Sequence, residues 1–171
     1  MSTIADTTSI RRIRAQDSVD EMTELLHRAY AALGARGWNY TAVDQTAEVT
    51  RSRLAQGVGL VAVEPDGRIV GTIMYWPPEK LWDSPWLQRL DVAFLGQFAV
   101  EPSRQGAEIG ARLMAAVEDI APAADARKLA LDTAEPALLL IELYSRRGYR
   151  FIEYAQWRGK RYRSVIMSKT L

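Results

Sequence analysis

The stretch that decides the fold is Phe98-Ala-Val-Glu-Pro-Ser-Arg-Gln-Gly-Ala-Glu-Ile-Gly-Ala-Arg-Leu113. Its first residues end a predicted buried strand, Val92–Val100, and its last residues belong to an amphipathic helix predicted from about Ala107 to Ile120. The first turn of a helix leaves up to four N–H groups unpaired and carries about half a positive charge. The segment therefore predicts a phosphate-binding loop between a strand and a helix.

Small and basic residues support this interpretation. Gly106 and Gly110 allow a ligand and the sheet to approach the backbone closely, and Arg104 and Arg112 add positive charge. Other phosphate loops do not fit, because no Lys-Ser/Thr follows a Gly-rich loop and no G-x-G-x-x-G is present. The absence of G-x-S-x-G and the single histidine argue against a Ser-His hydrolase.

Hydrophobic periodicity outward from this stretch predicts an α/β (α+β) domain with a mixed sheet and helices on both faces. A capping box at Ser18-Val-Asp-Glu21 begins the first helix, and Gly34 is predicted to end it. The other helices are predicted at about Asp44–Gln56, Ala107–Ile120 and Pro136–Arg147. The predicted strands are Ile10–Arg14, Leu60–Val63, Ile69–Trp76, Val92–Val100, Leu129–Thr133, Tyr149–Trp157 and Tyr162–Lys169.

Composition narrows the class of protein. The 171 residues fit one domain, with residues 1–9 expected to be a flexible tail. The 22 Lys and Arg against 21 Asp and Glu give a net charge of +1, which argues against nucleic acid or an anionic membrane as partner. There is no cysteine, so disulfides and thiolate metal sites are excluded. Without an apolar run long enough to span a bilayer, the protein is expected to be cytoplasmic.

The sequence resembles the GNAT N-acetyltransferase superfamily over about residues 10–171. The signature Q/R-x-x-G-x-G/A of that family is matched by Gln105, Ile109 and Gly110. A second family feature, Leu-Tyr followed shortly by Gly-Tyr or Gly-Phe, is matched by Leu143-Tyr144-Ser-Arg-Arg-Gly148-Tyr149. One departure is Glu108 at the fourth signature position, which is usually Gly. Another is Ala137, where family members often carry an Asn that contacts the cofactor.

The resemblance implies a GNAT-like, mostly antiparallel sheet of about seven strands flanked by about four helices. It also implies acetyl-CoA as the acyl donor, a metal-free reaction and direct transfer of the acyl group in a ternary complex. The pantetheine is expected on the backbone of the strand and the pyrophosphate on the loop. The residues that the resemblance assigns to this site are Phe98, Val100, Gln105, Gly106, Ala107, Glu108, Ile109, Gly110 and Ala111.

Two residues are candidates for the chemistry. By resemblance, Tyr144 lies near the sulfur and hydrogen-bonds the departing thiolate; its structural alternative is a core tyrosine. Asp132 is an acidic residue in an apolar strand, which is uncommon and requires a reason. Related peptide N-acetyltransferases carry a proposed base at this position, so Asp132 is a candidate base acting through water. The alternative is that Asp132 pairs structurally with a nearby arginine.

The acceptor is expected to be a primary amine of a small molecule or peptide. Trp38, Asn39 and Tyr40 lie between the first two predicted helices, where family members bind the acceptor. Trp76, Trp82 and Trp86 cluster near the next loop and could line a pocket or bury a homodimer contact. The departures at Glu108 and Ala137 leave a catalytically silent acyl-CoA-binding or regulatory domain as one alternative. A Trp-rich interaction module is the other.

Overall fold

A computed structural model describes residues 7–78, 83–106 and 108–171. The strands are β1 (Ser9–Arg12), β2 (Val58–Val63), β3 (Ile69–Trp76), β4 (Val92–Val100), β5 (Lys128–Ala134), β6 (Arg150–Ala155) and β7 (Ser164–Thr170). The α-helices are α1 (Val19–Ala35), α2 (Thr41–Asp44), α3 (Ala47–Leu54), α4 (Ile109–Ile120) and α5 (Leu138–Arg146). The seven strands form one sheet in the order β1-β2-β3-β4-β5-β7-β6.

All strand pairs in this sheet are antiparallel except β4 with β5, which is parallel. The prediction of a mixed, mostly antiparallel sheet of seven strands is therefore confirmed. The described residues contain five α-helices rather than about four: α3 corresponds to the predicted helix Asp44–Gln56, and the short helix α2 before it was not predicted. Gln45 and Thr46 separate α2 from α3, and the Thr46 hydroxyl caps α3 by accepting a hydrogen bond from the Val49 N–H.

Alternating side chains of the sheet build the core on both of its faces. On one face, α4 and α5 pack through Leu113 and Tyr144 against strand residues such as Leu131. On the other face, α1 packs its apolar stripe against β2, β3 and β4, with Met22, Leu25 and Leu26 fully buried against Val61, Val63, Ile69 and Ala99. Helices therefore cover both faces of the sheet, as predicted.

The sheet opens in the middle, between β4 and β5. The two strands pair only from Val92 to Phe94 on β4 and from Lys128 to Ala130 on β5. Beyond this point β4 has a bulge, in which Gln97 adopts a left-handed conformation with φ of 45°. The bulge bends the strand, and the rest of β4 pairs with β3 alone. A cleft therefore separates the last residues of β4 from β5.

Helix boundaries differ from the predictions in two places. Gly34 lies inside α1, which continues to Ala35 and is followed by Gly37 with φ of 83°. Position 37 requires the left-handed conformation and is the actual stop signal. The helix predicted from Ala107 begins at Ile109, because Glu108 has a positive φ that no helix interior accepts.

Interactions at the start of the chain also differ. Ser18 caps α1 as predicted, but Glu21 does not complete the capping box, since its carboxylate accepts from the Ile69 N–H of β3. Two residues of the expected tail belong to the folded part of the chain, because Thr8 is buried and Ser9 pairs with Val63 in the sheet. Residues 1–6 lie outside the described residues.

Candidate active site

A cavity of about 420 Å³ lies beside the cleft, and we call it the loop cavity. It is bounded by α1, the end of β4, the segment from Arg104 to Ala111, and α5. Ala107 lies outside the described residues. Every other residue predicted to bind the cofactor lines this cavity: Phe98, Val100, Gln105, Gly106, Glu108, Ile109, Gly110 and Ala111.

The first turn of α4 offers the loop cavity unpaired N–H groups. The helix begins after Glu108, whose side chain makes no capping hydrogen bond, and the first intrahelical bond of the α4 N-terminus joins the Arg112 N–H to the Glu108 carbonyl. The N–H groups of the three residues between these two have no carbonyl partner within the helix. Gly106, with φ of 87°, turns the chain immediately before this end. The arrangement suits an anion.

Close packing holds α4 against β4. A Cβ atom at Gly110 would lie 3.0 Å from the ring of Phe98, so a larger residue would require this ring to shift by a few tenths of an ångström. The two arginines that were predicted to add positive charge at the phosphate loop also interact with other residues of the protein. Arg104 forms an ion pair with Glu64, and Arg112 donates to the Thr8 carbonyl at 2.7 Å. The backbone at the start of α4 is therefore a better candidate for binding an anion than these guanidinium groups.

The backbone of β4 faces the cleft at alternate residues. The Glu101 N–H donates to Val70 of β3, so the polar groups of Phe98 and Val100 point away from β3, towards the cleft. The Phe98 carbonyl accepts from the Tyr30 hydroxyl at 2.9 Å, and the Val100 carbonyl accepts from the Gln105 amide at 3.3 Å. This edge can pair with an extended ligand that carries amide groups.

A second cavity, of about 250 Å³, lies on the other side of the cleft, and we call it the aromatic cavity. It contains both predicted catalytic residues, Asp132 and Tyr144, together with two of the predicted substrate-binding residues, Tyr40 and Trp76. The remaining lining residues are Tyr30, Thr41, Ala42, Arg53, Phe94, Gln97, Thr133, Leu140, Trp157, Lys160 and Tyr162.

Tyr144 lies where the two cavities meet. With Tyr30 and Leu140 it lines both of them, and it is only 7% exposed. Burial raises the pKa of the Tyr144 phenol well above its ordinary value, so the hydroxyl stays protonated. Among the described residues this hydroxyl has no hydrogen-bond partner. It is therefore a neutral donor available at the junction.

Asp132 lies on β5, on the face opposite Leu131, as the alternation predicted. The indole N–H of Trp157 donates to its carboxylate at 2.7 Å. Burial raises the pKa of the Asp132 carboxyl, against the opposing effect of the hydrogen bond from Trp157. No arginine of the described ranges forms an ion pair with it, so the structural alternative of an Arg–Asp pair is not what the structure contains.

Two cations of the aromatic cavity were missed by the sequence analysis. Arg53 comes from the last turn of α3, and Lys160 from the turn between β6 and β7. Lys160 donates from Nζ to the Asn39 carbonyl and to the Thr41 hydroxyl, both at 2.8 Å. Burial lowers the pKa of both Arg53 and Lys160. Neither residue belongs to a local motif, and only the tertiary fold brings them together.

Two residues predicted to bind substrate lie outside the cavity lining. The side chain of Asn39 holds the β6–β7 turn, donating to the Gly159 carbonyl at 2.9 Å and accepting from the Arg161 N–H at 2.8 Å. Trp38 packs beside Ala134, Ala137 and Tyr162. Both residues therefore contact residues that line the aromatic cavity, Trp38 through Tyr162 and Asn39 through Lys160, without lining it themselves.

The predicted tryptophan cluster is partly core. Trp76 is buried against Phe94, with ring centroids 5.9 Å apart, and also lines the aromatic cavity. Trp86 packs against the same core cluster and is covered by Arg89 at 4.5 Å. Trp82 lies outside the described residues. Trp76 is therefore unavailable for a dimer contact.

The family model described as Acetyltransferase (GNAT) family matches residues 19–149. The chain belongs to this family. It is 27% identical over 162 residues, or 94% of each chain, to an S-(2-succino)cysteine N-acetyltransferase of Bacillus subtilis (strain 168).

Solved structures share the fold of this GNAT protein. A GNAT family acetyltransferase from Elizabethkingia anophelis with acetyl-CoA bound superposes with a TM-score of 0.68 at 19% identity, covering 97% of this chain and 99% of that one. The ribosomal-protein-S18-alanine N-acetyltransferase of Escherichia coli gives 0.72 at 16% identity, covering 95% and 93%. Within the described residues, no helix is long and apolar enough to cross a membrane.

Glu108 is exposed at the rim of the loop cavity, with φ of 63°. A left-handed conformation costs a non-glycine residue about 1–2 kcal/mol, so Glu108→Gly should raise the melting temperature. Because the side chain is exposed, we expect acetyl-CoA affinity to change by less than about tenfold. Calorimetry on both variants separates the two effects on acetyl-CoA binding, because Glu108→Gln removes only the charge whereas Glu108→Gly also relieves the backbone conformation. A tenfold gain in both variants would place the carboxylate against the pyrophosphate.

The raised pKa of Asp132 predicts a pH-dependent effect on stability. The folded protein loses stability as pH rises through that pKa, because the buried carboxyl must ionise. An asparagine amide cannot ionise, and its oxygen can still accept from Trp157. Asp132→Asn should therefore melt above the wild type at neutral pH, and the difference should shrink as pH falls and vanish below the ordinary pKa of an aspartic acid. Melting curves measure this, with the exposed Asp119→Asn as control. A lower melting temperature at neutral pH would support the ion-pair account instead.

Proposed function

We propose that this protein is an acetyl-CoA-dependent N-acetyltransferase that acetylates a primary amine by direct transfer in a ternary complex. The observation that carries the proposal is the junction of two cavities at Tyr144. One cavity has an anion-binding helix end and an open strand edge, as a coenzyme A ester requires. The other has a carboxylate close to the same junction. Two substrates can thus be bound together on opposite sides of one tyrosine.

Acetyl-CoA fits the loop cavity by chemistry. Its pyrophosphate would accept from the N–H groups at the start of α4, and its pantetheine amides would pair with the backbone of Phe98 and Val100. The Tyr30 hydroxyl, which now donates to the Phe98 carbonyl, closes the end of this edge nearest the aromatic cavity. The thioester would then lie beside Tyr144.

The chemistry requires a neutral amine, since a protonated amine has no lone pair for attack. Asp132 is a suitable base because its raised pKa brings it closer to neutrality, where proton transfer is most effective. The proton would pass through water from the amine to the carboxylate. Asp132 would return this first proton to water. Attack by the neutral amine would then give a tetrahedral intermediate with a positive nitrogen. As the carbon–sulfur bond breaks, the Tyr144 hydroxyl would donate a hydrogen bond to the thiolate, and a second proton, lost from that nitrogen, would convert the thiolate to the thiol of coenzyme A.

Catalysis is favoured over the silent acyl-CoA-binding alternative. Two differences from the family pattern motivated that alternative, and both concern residues expected to contact the cofactor. Glu108 is exposed, and Ala137 leaves the start of α5 without a side-chain cap. Neither alters Tyr144 or Asp132. The relative from Bacillus subtilis is named for S-(2-succino)cysteine, so this compound belongs in any acceptor panel. A homodimer and a cytoplasmic location stay predictions.

The function is tested by measuring coenzyme A release from acetyl-CoA with a panel of amines, in a thiol-detection assay. We expect amine-dependent release and initial-velocity lines that intersect, as a ternary complex requires. Binding of acetyl-CoA without release by any amine would support the silent domain. Parallel lines would contradict direct transfer.

Tyr144→Phe should lower kcat by at least about tenfold while the dissociation constant of acetyl-CoA stays nearly unchanged. The lost hydrogen bond exists chiefly in the transition state, where the sulfur carries charge. Steady-state kinetics and calorimetry measure the two quantities. Tyr154→Phe removes an exposed hydroxyl and is the matched control. Near-normal kcat in Tyr144→Phe would remove this residue from the mechanism.

Asp132→Asn should lower kcat/KM by at least about tenfold, the lower end of general base effects. The loss should be greatest between the pKa of Asp132 and that of the amine, where wild-type enzyme has a base but little free neutral amine. It should shrink as pH approaches the pKa of the amine. A pH–rate profile beside that of Asp119→Asn measures this. A loss independent of pH would contradict a role as base.

A further inference from the structure

The aromatic cavity contains more positive than negative charge. Its lining has two cations, Arg53 and Lys160, and one carboxylate, Asp132. Neither cation forms an ion pair with Asp132 in the described part of the chain. The imbalance belongs to the cavity, because the chain as a whole has a net charge of only +1.

The partners of the two cations include no ion pair in the described part of the chain, and Asp132 acts on both cations only by longer-range attraction. The Lys160 ammonium donates to a backbone carbonyl and to a hydroxyl, which are both neutral, and has a third N–H to donate. The Arg53 guanidinium has no hydrogen bond to any described residue. Burial of a charge is costly unless the charge is paired. An anionic group on a ligand would supply the missing partner.

The size and walls of the cavity limit this ligand. A volume of about 250 Å³ suits a molecule of amino-acid size. The walls around Asp132 are aromatic, with Trp76, Phe94 and Tyr162 among them, so part of the ligand is apolar. A polyamine would carry a second positive charge towards Arg53 and Lys160, which is unfavourable.

We propose that the acceptor is a small amine that also carries a carboxylate, which Arg53 and Lys160 bind while Asp132 faces the amine. This inference rests on the proposed acetyltransferase function and adds the chemical class of its acceptor. The two cations act in binding and orientation. The carboxylate of the acceptor pairs with them, so the amine is directed to the side of the cavity where Tyr144 meets the thioester.

The structural alternative for Arg53 is stabilisation of α3, since a cation in the last turn of a helix interacts favourably with the helix dipole. Arg51 occupies the same last turn but is exposed and lines neither cavity. Arg51→Gln and Arg53→Gln therefore remove the same charge from the same helix end. Only Arg53→Gln removes it from the aromatic cavity, which makes Arg51→Gln the matched control.

The test compares acceptors that differ in one group: L-phenylalanine, L-phenylalaninamide and phenethylamine, with L-methionine and L-methioninamide as a second pair. We expect kcat/KM of the wild type to favour the carboxylates by about 10–100-fold, the range of a charge-assisted hydrogen bond. Arg53→Gln should reduce this preference several-fold by raising KM for the carboxylates alone, with Lys160 retaining the remainder. Arg53→Lys should restore part of it, and Arg51→Gln should keep all of it.

A second measurement needs no turnover. N-acetyl-L-phenylalanine should raise the melting temperature of the wild type and of Arg51→Gln equally, and that of Arg53→Gln clearly less. N-acetylphenethylamine, which lacks the carboxylate, should act equally on all three proteins. Equal use of carboxylates and amides by the wild type, or an equal loss for both in Arg53→Gln, would overturn the inference while leaving the acetyltransferase function intact. Release of coenzyme A with no amine at all would contradict the function itself.

Discussion

The separation of β4 from β5 is the constraint on which the site depends. Two parallel strands that stayed paired along their length would leave no room at the centre of the sheet. Here pairing ends at Phe94 and Ala130, and the bulge at Gln97 bends β4 away. The separation exposes the backbone edge of β4, opens the N-terminus of α4 to the cleft, and lets Tyr144 of α5 reach the aromatic cavity on the far face.

Burial then determines the protonation of the site. The same loss of water that raises the pKa of Tyr144 and keeps its phenol neutral also raises the pKa of Asp132 and lowers those of Arg53 and Lys160. A neutral phenol is a donor that is ready for a developing thiolate. A carboxyl with a raised pKa is a stronger base. The two cations favour an anionic ligand, since neither forms an ion pair within the described part of the chain.

The sequence predicted the parts of the fold that local pattern controls. All seven strands were predicted, most of them from hydrophobic runs, and the motif from Gln105 to Gly110 lies at the loop cavity because strand, loop and helix are contiguous. Helix ends were less accurate, since Gly34 and Gly37 are equally good stop signals by composition. Glu21 was assigned to its own helix, but the tertiary fold brings it to Ile69.

The aromatic cavity could be predicted only in part. Asp132 was identifiable as an acidic residue in an apolar strand, and Tyr144 by its motif. Arg53 lies on a short polar helix and Lys160 in a basic turn, where cations are ordinarily solvated, so nothing local marks them. Asn39 was expected at the substrate, yet it holds the turn that carries Lys160.

The most direct test of the account is a structure of the protein with acetyl-CoA, or with a thioether analogue that cannot transfer its acyl group. The account predicts the pyrophosphate on the N–H groups at the start of α4, the pantetheine along Phe98 and Val100, and the sulfur within hydrogen-bond distance of the Tyr144 hydroxyl. A ligand bound elsewhere, or one whose sulfur points away from Tyr144 and the aromatic cavity, would contradict it.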